Sequence, residues 1–231
     1  GLVVSGGLDS STVTSLALDL NPELPTFTGW YDVPGFDERR YARLVASDFE
    51  HHEIQIRPED VITHFDEVMA IAPEPLQGPG MFGQYVVAKV ASQYIRVAVS
   101  GEGSDELFGG YARLMAVGGE PMPDGYEKYK PPVDYPADLE AALAYDYANL
   151  PDLLKVDDAM CAAWGIEARA PFTDAAVVEY GLGLPPRERV GKQHLRRVVR
   201  GLVPDRVIDR TDKMGFPIPF VHWAQDELRD W

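Results

Sequence analysis

The chain opens on an apolar strand that turns through two glycines directly into a helix, and few folds accommodate that order. Leu2-Val3-Val4 reads as a buried strand and Ser5-Gly6-Gly7-Leu8-Asp9-Ser10-Ser11 as the turn, with Val13, Leu16, Ala17 and Leu20 forming the apolar face of the helix that follows. Residues 25–30 read as a second strand. A strand, a helix and a strand in immediate succession require the two strands to lie parallel, with the helix crossing one face of the sheet. The same rhythm continues with a helix over 37–48, a third strand over 51–56, helical stretches through Met69 and over 84–93, and a fourth strand over 96–100. This predicts an α/β fold with a doubly wound parallel sheet.

Beyond the fourth strand the pattern changes. Residues 118–136 are rich in Gly, Pro, Asp and Tyr without periodicity and read as a flexible loop. The remainder reads as helix over 139–154, 157–164 and 175–182, with no comparable strand signal. Three parts are therefore expected: an α/β core over 1–117, the loop over 118–136, and a helical C-terminal part over 137–231 that completes the site.

With 231 residues, 45% of them hydrophobic, the chain can bury one sizeable core. Its formal net charge of -16 repels phosphate backbones, and no basic patch offsets it, so small molecules rather than nucleic acid are the expected partners. The single cysteine, Cys161, cannot form an internal disulfide. No leader and no apolar run of about 18 residues suggests secretion or a membrane partner, and the cytoplasm is the expected compartment. The first strand begins at once, without methionine, which leads us to expect further sequence upstream.

The glycine turn lies where open α/β sheets bind ligands, at the carboxyl end of a parallel strand. Two glycines allow backbone N–H groups to point into one concavity, and the helix N-terminus adds partial positive charge, a geometry suited to phosphate. Hydroxyls of Ser5, Ser10 and Ser11 can donate further bonds, and Asp9 can accept an N–H or hold a divalent cation. A plain turn with Asp9 or Ser10 as helix cap would use only half of these residues. The spacing and lysine of a Walker loop are absent, so the neutralising cation must come from elsewhere. After the fourth strand, Ser100-Gly101-Glu102-Gly103-Ser104-Asp105-Glu106-Leu107-Phe108-Gly109-Gly110-Tyr111 should reach the same sheet edge, bringing three carboxylates together. Such a cluster calls for Mg²⁺ or a substrate ammonium. The five histidines show no ligand spacing.

The loop at 5–11 resembles the pyrophosphate loop of the N-type ATP pyrophosphatases, an adenine nucleotide alpha hydrolase-like fold. The segment 100–111 resembles more specifically the class B asparagine synthetases and their relatives, the β-lactam synthetases and lasso-peptide cyclases. Three further segments match in order: Glu167-Ala168-Arg169-Ala170-Pro171-Phe172-Thr173-Asp174, then Gly191-Lys192 with Leu195-Arg196, then Lys213-Met214-Gly215-Phe216-Pro217-Ile218-Pro219. The departures are Ala170 and Thr173, where valine and leucine are commoner, and they concern local packing.

The resemblance implies that aspartate is adenylated by ATP to β-aspartyl-AMP, with release of pyrophosphate, and then aminated to asparagine. A cyclising relative or an inactive nucleotide-binding domain is the alternative. It implies that Ser5, Gly6, Gly7, Asp9, Ser10 and Ser11 hold pyrophosphate with Lys192, and that Ser100, Gly101 and the backbone near Thr28 and Gly29 hold AMP. Asp9 and Asp105 would hold Mg²⁺, Glu102 and Asp174 would face the amino-acid substrate, and Lys213 would be the catalytic cation, with Lys192 and Arg196 as weaker candidates for that role because a basic helical face is commonly only solvent-exposed. The glutaminase domain of such enzymes is absent from these residues; a glutaminase domain or subunit and a homodimer are the partners left open.

Overall fold

A computed structural model describes residues 1–76, 78–121, 131–212 and 218–229. Five strands, β1 (Leu2–Val3), β2 (Thr26–Trp30), β3 (His51–Gln55), β4 (Val97–Val99) and β5 (Glu167–Arg169), form one all-parallel sheet in the order β3-β2-β1-β4-β5. The order runs outward from β1 in both directions, so the chain winds one way through β2 and β3 and the other way through β4 and β5. That reversal places the switch point of the doubly wound sheet between β1 and β4.

Thirteen α-helices complete the described residues: α1 (Leu8–Leu20), α2 (Arg39–Ala46), α3 (Pro58–Ile71), α4 (Gly80–Ala91), α5 (Ser104–Phe108), α6 (Ala112–Gly118), α7 (Leu139–Ala148), α8 (Leu150–Ala162), α9 (Ala175–Gly183), α10 (Pro186–Arg189), α11 (Gln193–Val198), α12 (Asp205–Ile208) and α13 (Phe220–Gln225). Alternation along the strands divides the core between two faces. Leu2 and Val4 pack with Leu18 and Ala42 of α1 and α2, whereas Val3, Phe27 and Ala98 join a larger cluster with Val87, Ala91, Met160 and Trp223 from α4, α8 and α13.

The fifth strand has no counterpart in the expectation from sequence. It is a three-residue edge strand whose Glu167 and Arg169 are exposed and pair with each other at 2.9 Å, leaving no apolar alternation to read. Charged, short edge strands of this kind also resist unwanted pairing. The apolar face expected for α1 differs as well: Leu16 and Leu20 are 50% and 87% exposed, and the buried stripe includes Ser11, Thr14 and Leu18. Small hydroxyl residues allow α1 to lie close to the sheet, and a count of apolar residues alone passes over them.

The helix expected over 139–154 divides into α7 and α8 at Asn149, because Pro151 lacks the amide that would continue the ladder and instead starts a new helix in its first turn. Of the expected loop over 118–136, residues 122–130 lie outside the described residues. Just beyond them Tyr135 is buried, and its hydroxyl donates to Asp146 at 2.6 Å, an aspartate that also accepts from Arg113. No described helix is long and apolar enough to cross a membrane.

Candidate functional site

The turn after β1 and the turn after β4 lie side by side at the switch point, and glycines let them touch. A Cβ on Gly101 would stand 2.6 Å from the Ser10 nitrogen and 2.9 Å from the Asp9 carbonyl carbon, so only glycine brings the second turn against the first. Gly6 is left-handed, with φ of 75°, and a side chain there would strike the backbone of Ala42. Gly7 opens α1 without a side-chain cap, so neither Asp9 nor Ser10 serves as the simple helix cap. The hydroxyls of Ser5 and Ser10 stand 3.0 Å apart, and both residues line a cavity that runs from the turns inward between β1, β4, α4 and α8. Gly29 lines the same cavity, together with Ser100, Gly101 and Glu102.

The cation that the glycine turn lacks is supplied by Lys192, 183 residues away in sequence. Its ammonium lies 2.5 Å from Asp9 Oδ2 and 2.6 Å from Asp105 Oδ1, and Ser104 donates to the other Asp9 oxygen at 2.7 Å. Burial works to lower the lysine's pKa, but Asp105 and Asp9 outweigh it and hold the ammonium above the usual lysine range. Lys192 reaches this position from a left-handed backbone with φ of 57°, and no other non-glycine residue among those described has a positive φ. Strain of this kind persists only where surrounding contacts enforce it. Here Gly191 N–H donates to the Gly109 carbonyl at 2.8 Å, and Arg196 donates to the Gly191 carbonyl at 3.0 Å. Gly110 makes the room: a Cβ there would lie 1.7 Å from Asp105 Oδ1 and 2.1 Å from Lys192 Cε.

Sequence reasoning offered Lys213 first for the cation's role, ahead of Lys192 and Arg196, and Lys213 lies outside the described residues. Lys192, expected among the nucleotide-binding residues, stands beside the turn, whereas Arg196 props the Gly191 segment.

The carboxylates of the second turn separate. Glu102 lines the cavity, and burial together with Asp157, Glu106, Asp105 and Asp9 pushes its carboxyl up to about 8. Glu106 is buried behind the cavity wall, where its carboxylate accepts a bond from Tyr111 and the Arg189 guanidinium braces its backbone carbonyl. It stays within electrostatic reach of Glu102 and Asp105 but does not line the cavity. Asp174 is exposed outside the cavity wall and accepts the Ala176 N–H at 2.9 Å as the cap of α9. Ser11 is fully buried on α1, with no hydrogen-bond partner for its hydroxyl among the described residues, and does not line the cavity. Thr28 spends its hydroxyl on the Val4 carbonyl at 2.6 Å, which leaves Gly29 to line the wall.

One cavity residue escaped the sequence reading. Asp157 on α8 is buried, accepts from Ser100 Oγ at 3.2 Å, and has its pKa raised chiefly by burial. A signal was available, since Asp157 shares a helical stripe with the buried Met160 and Cys161, and a carboxylate on an apolar stripe is costly without a purpose. Cys161 lines the inner, apolar end of the cavity with Val87, Ala88 and Ile166. Burial pushes its thiol up to about 12, so it serves as a small hydrophobe rather than a nucleophile.

The donor set fits a divalent cation in part. Asp9 and Asp105 bring two carboxylate oxygens to one point, but the Lys192 ammonium occupies it, so a hard cation would bind beside the lysine through their remaining lone pairs. Among the described residues no group of three or more His, Cys, Asp or Glu side chains gathers for a metal, so further oxygens would have to come from a nucleotide.

Comparison with known proteins identifies the family. A family model for asparagine synthase matches residues 1–122 and 120–231. An asparagine synthetase [glutamine-hydrolyzing] 1 from Bacillus subtilis (strain 168) is 27% identical over an alignment that takes in 100% of this chain and 48% of that protein. The asparagine synthetase [glutamine-hydrolyzing] of Rattus norvegicus is 32% identical, over 85% of this chain and 34% of its own length. A probable asparagine synthetase [glutamine-hydrolyzing] of Schizosaccharomyces pombe is 29% identical, over 82% and 35%. The chain thus spans about half the length of the bacterial relative and about a third of the eukaryotic ones. Two phosphate-suited turns at the switch point of a parallel sheet, a buried lysine between them, and a family match running from one end of the chain to the other lead to one assignment: the chain belongs to the asparagine synthase family.

Proposed function

We propose that this chain is the ATP-dependent synthetase part of an asparagine-forming ligase. Aspartate is activated as β-aspartyl-AMP with release of pyrophosphate, and ammonia then converts the adenylate to asparagine. The observation that carries this reading is the contact of the two turns at Gly101 with Lys192 held between Asp9 and Asp105, which would grip a triphosphate across the bond between its first and second phosphorus atoms.

The residues divide the work by position. Amides and hydroxyls of the Ser5–Ser10 turn would receive the β- and γ-phosphates, and Lys192 would neutralise charge building on the departing pyrophosphate. Ser100, Gly101 and Gly29 would hold the AMP portion. Asp9 and Asp105 would hold Mg²⁺, which when bound supplies further positive charge to the pyrophosphate. Glu102 and Asp157, beside which no lysine or arginine among the described residues lines the cavity wall, would receive the α-ammonium of aspartate. A carboxyl as hard to ionise as that of Glu102 gains most from such a partner.

Once the substrate is placed, its β-carboxylate oxygen attacks the α-phosphorus and the bond to the pyrophosphate oxygen breaks. Ammonia then attacks the carbonyl carbon, a carbon–nitrogen bond forms, AMP leaves with the carbon–oxygen bond electrons, and the nitrogen sheds a proton to solvent. The apolar inner wall of Val87, Ala88 and Ile166 limits competing attack by water. The names of the relatives support glutamine as the ammonia source, released by a domain or subunit outside these residues.

The test is to supply the chain with aspartate labelled with ¹⁸O in its β-carboxylate, ATP, Mg²⁺ and an ammonium salt. Labelled AMP, pyrophosphate and asparagine are expected. ADP as product, or AMP without the label, refutes adenylation.

A further inference from the structure

Arg210 is only 8% exposed, lies far in sequence from the glycine turn, and does not line the cavity, yet it bonds to the turn directly. Its Nη1 donates to the Gly6 carbonyl at 2.8 Å, Nη2 to Glu38 Oε1 at 2.6 Å, and Nε to Asp212 Oδ1 at 2.9 Å. The guanidinium lies over the Tyr41 ring, 3.7 Å from its centroid. A cation so fully engaged holds its acceptors in fixed places.

What it holds is the direction of one peptide. The Gly6–Gly7 bond is trans, the Glu74–Pro75 bond being the one cis peptide described, so its carbonyl and its N–H point opposite ways. The carbonyl faces Arg210. The Gly7 N–H faces Ser5 Oγ at 3.3 Å, and Ser5 lines the cavity. A peptide between two glycines is unusually free to turn over, because neither residue has a Cβ to forbid the flipped dihedrals. If flipped, it would aim a carbonyl oxygen at the place of an anion and withdraw a donor from it.

We propose that Arg210 is a positioning residue: it locks the Gly6–Gly7 peptide with its N–H toward the cavity and so sets the affinity of the turn for pyrophosphate. The inference rests on the reading that the turn holds pyrophosphate and goes beyond it, because Arg210 acts through Gly6 without touching the ligand.

The variants are R210M, whose apolar stem still covers Tyr41, and R210K, which keeps the charge but reaches fewer acceptors. Calorimetric titration of each with inorganic pyrophosphate and, separately, with AMP reads the effect, both in the presence of Mg²⁺. Loss of a charge-assisted bond predicts about tenfold or greater weakening for pyrophosphate in R210M, with AMP affinity held within about twofold and R210K between wild type and R210M. Equal weakening for both ligands makes Arg210 a general structural residue and overturns the proposal, as does unchanged pyrophosphate affinity. If R210M does not fold, the pyrophosphate-to-AMP affinity ratio of R210K decides by the same criterion. A wild-type chain that binds neither ligand refutes the site reading instead.

Discussion

Replacing Lys192 by methionine tests the centre of the site, because the substitution keeps the volume of the side chain and removes only its charge. In the native chain Asp9 Oδ2 and Asp105 Oδ1 lie 2.5 and 2.6 Å from the ammonium, so the two oxygens stand no more than about 5 Å from each other. Without the cation, two like charges at that distance repel by about 3 kcal/mol at an effective dielectric constant of about 20. The Asp105 side chain is 36% exposed, and solvent screening reduces the figure toward about 2 kcal/mol.

For a domain of this size that loss lowers the thermal midpoint by about 4–8 °C. Pyrophosphate release should fall by a factor of about 10² or more, the scale for removing one preorganised charge-stabilising donor. Thermal unfolding and a pyrophosphate-coupled assay give both readings. A variant as stable as wild type, or one with full turnover, refutes the assignment of Lys192 as the cation of the glycine turn.

Two further substitutions follow from the same geometry. The Glu102 carboxyl titrates near 8 in the folded chain, above its ordinary range, so stability is complete below the unfolded value of about 4.5 and is lost as pH rises through 8. E102Q should therefore have a higher thermal midpoint than wild type at pH 9 and the same midpoint at pH 4, while asparagine formation is lost; equal midpoints at pH 9 would contradict the burial argument. G101A places a Cβ 2.6 Å from the Ser10 nitrogen, which forces the two turns apart. It should cost about 1–3 kcal/mol in denaturant unfolding and weaken ATP binding at least tenfold, and native-like ATP affinity would show that the contact between the turns is dispensable.

The sequence by itself determined the opening of the fold and the place of the candidate site. Alternation of apolar strands with helices is a local pattern with a fixed period, and it dictated a parallel sheet with Ser5–Ser11 and Ser100–Asp105 at its carboxyl edge. The glycines at 6 and 101 were legible as turn residues, but the backbone that forbids a side chain at each, that of Ala42 for Gly6 and of Asp9 and Ser10 for Gly101, is brought there by the fold.

Only the tertiary structure decided which charges meet. Lys192 finds Asp9 across 183 residues because α5, the Gly191 turn and α1 pack together, and no periodicity carries that information. Asp157 enters the cavity because α8 lies against β5 and α4, and Arg210 reaches Gly6 only because the segment after α12 lies against α2. The converse held for Glu106 and Asp174, carboxylates in the right motifs that folding committed to Tyr111 and to a helix cap. Residue type and spacing restrict what a side chain can do; the partner that it meets is chosen by long-range packing, where burial turns a modest surface interaction into one strong enough to set a charge.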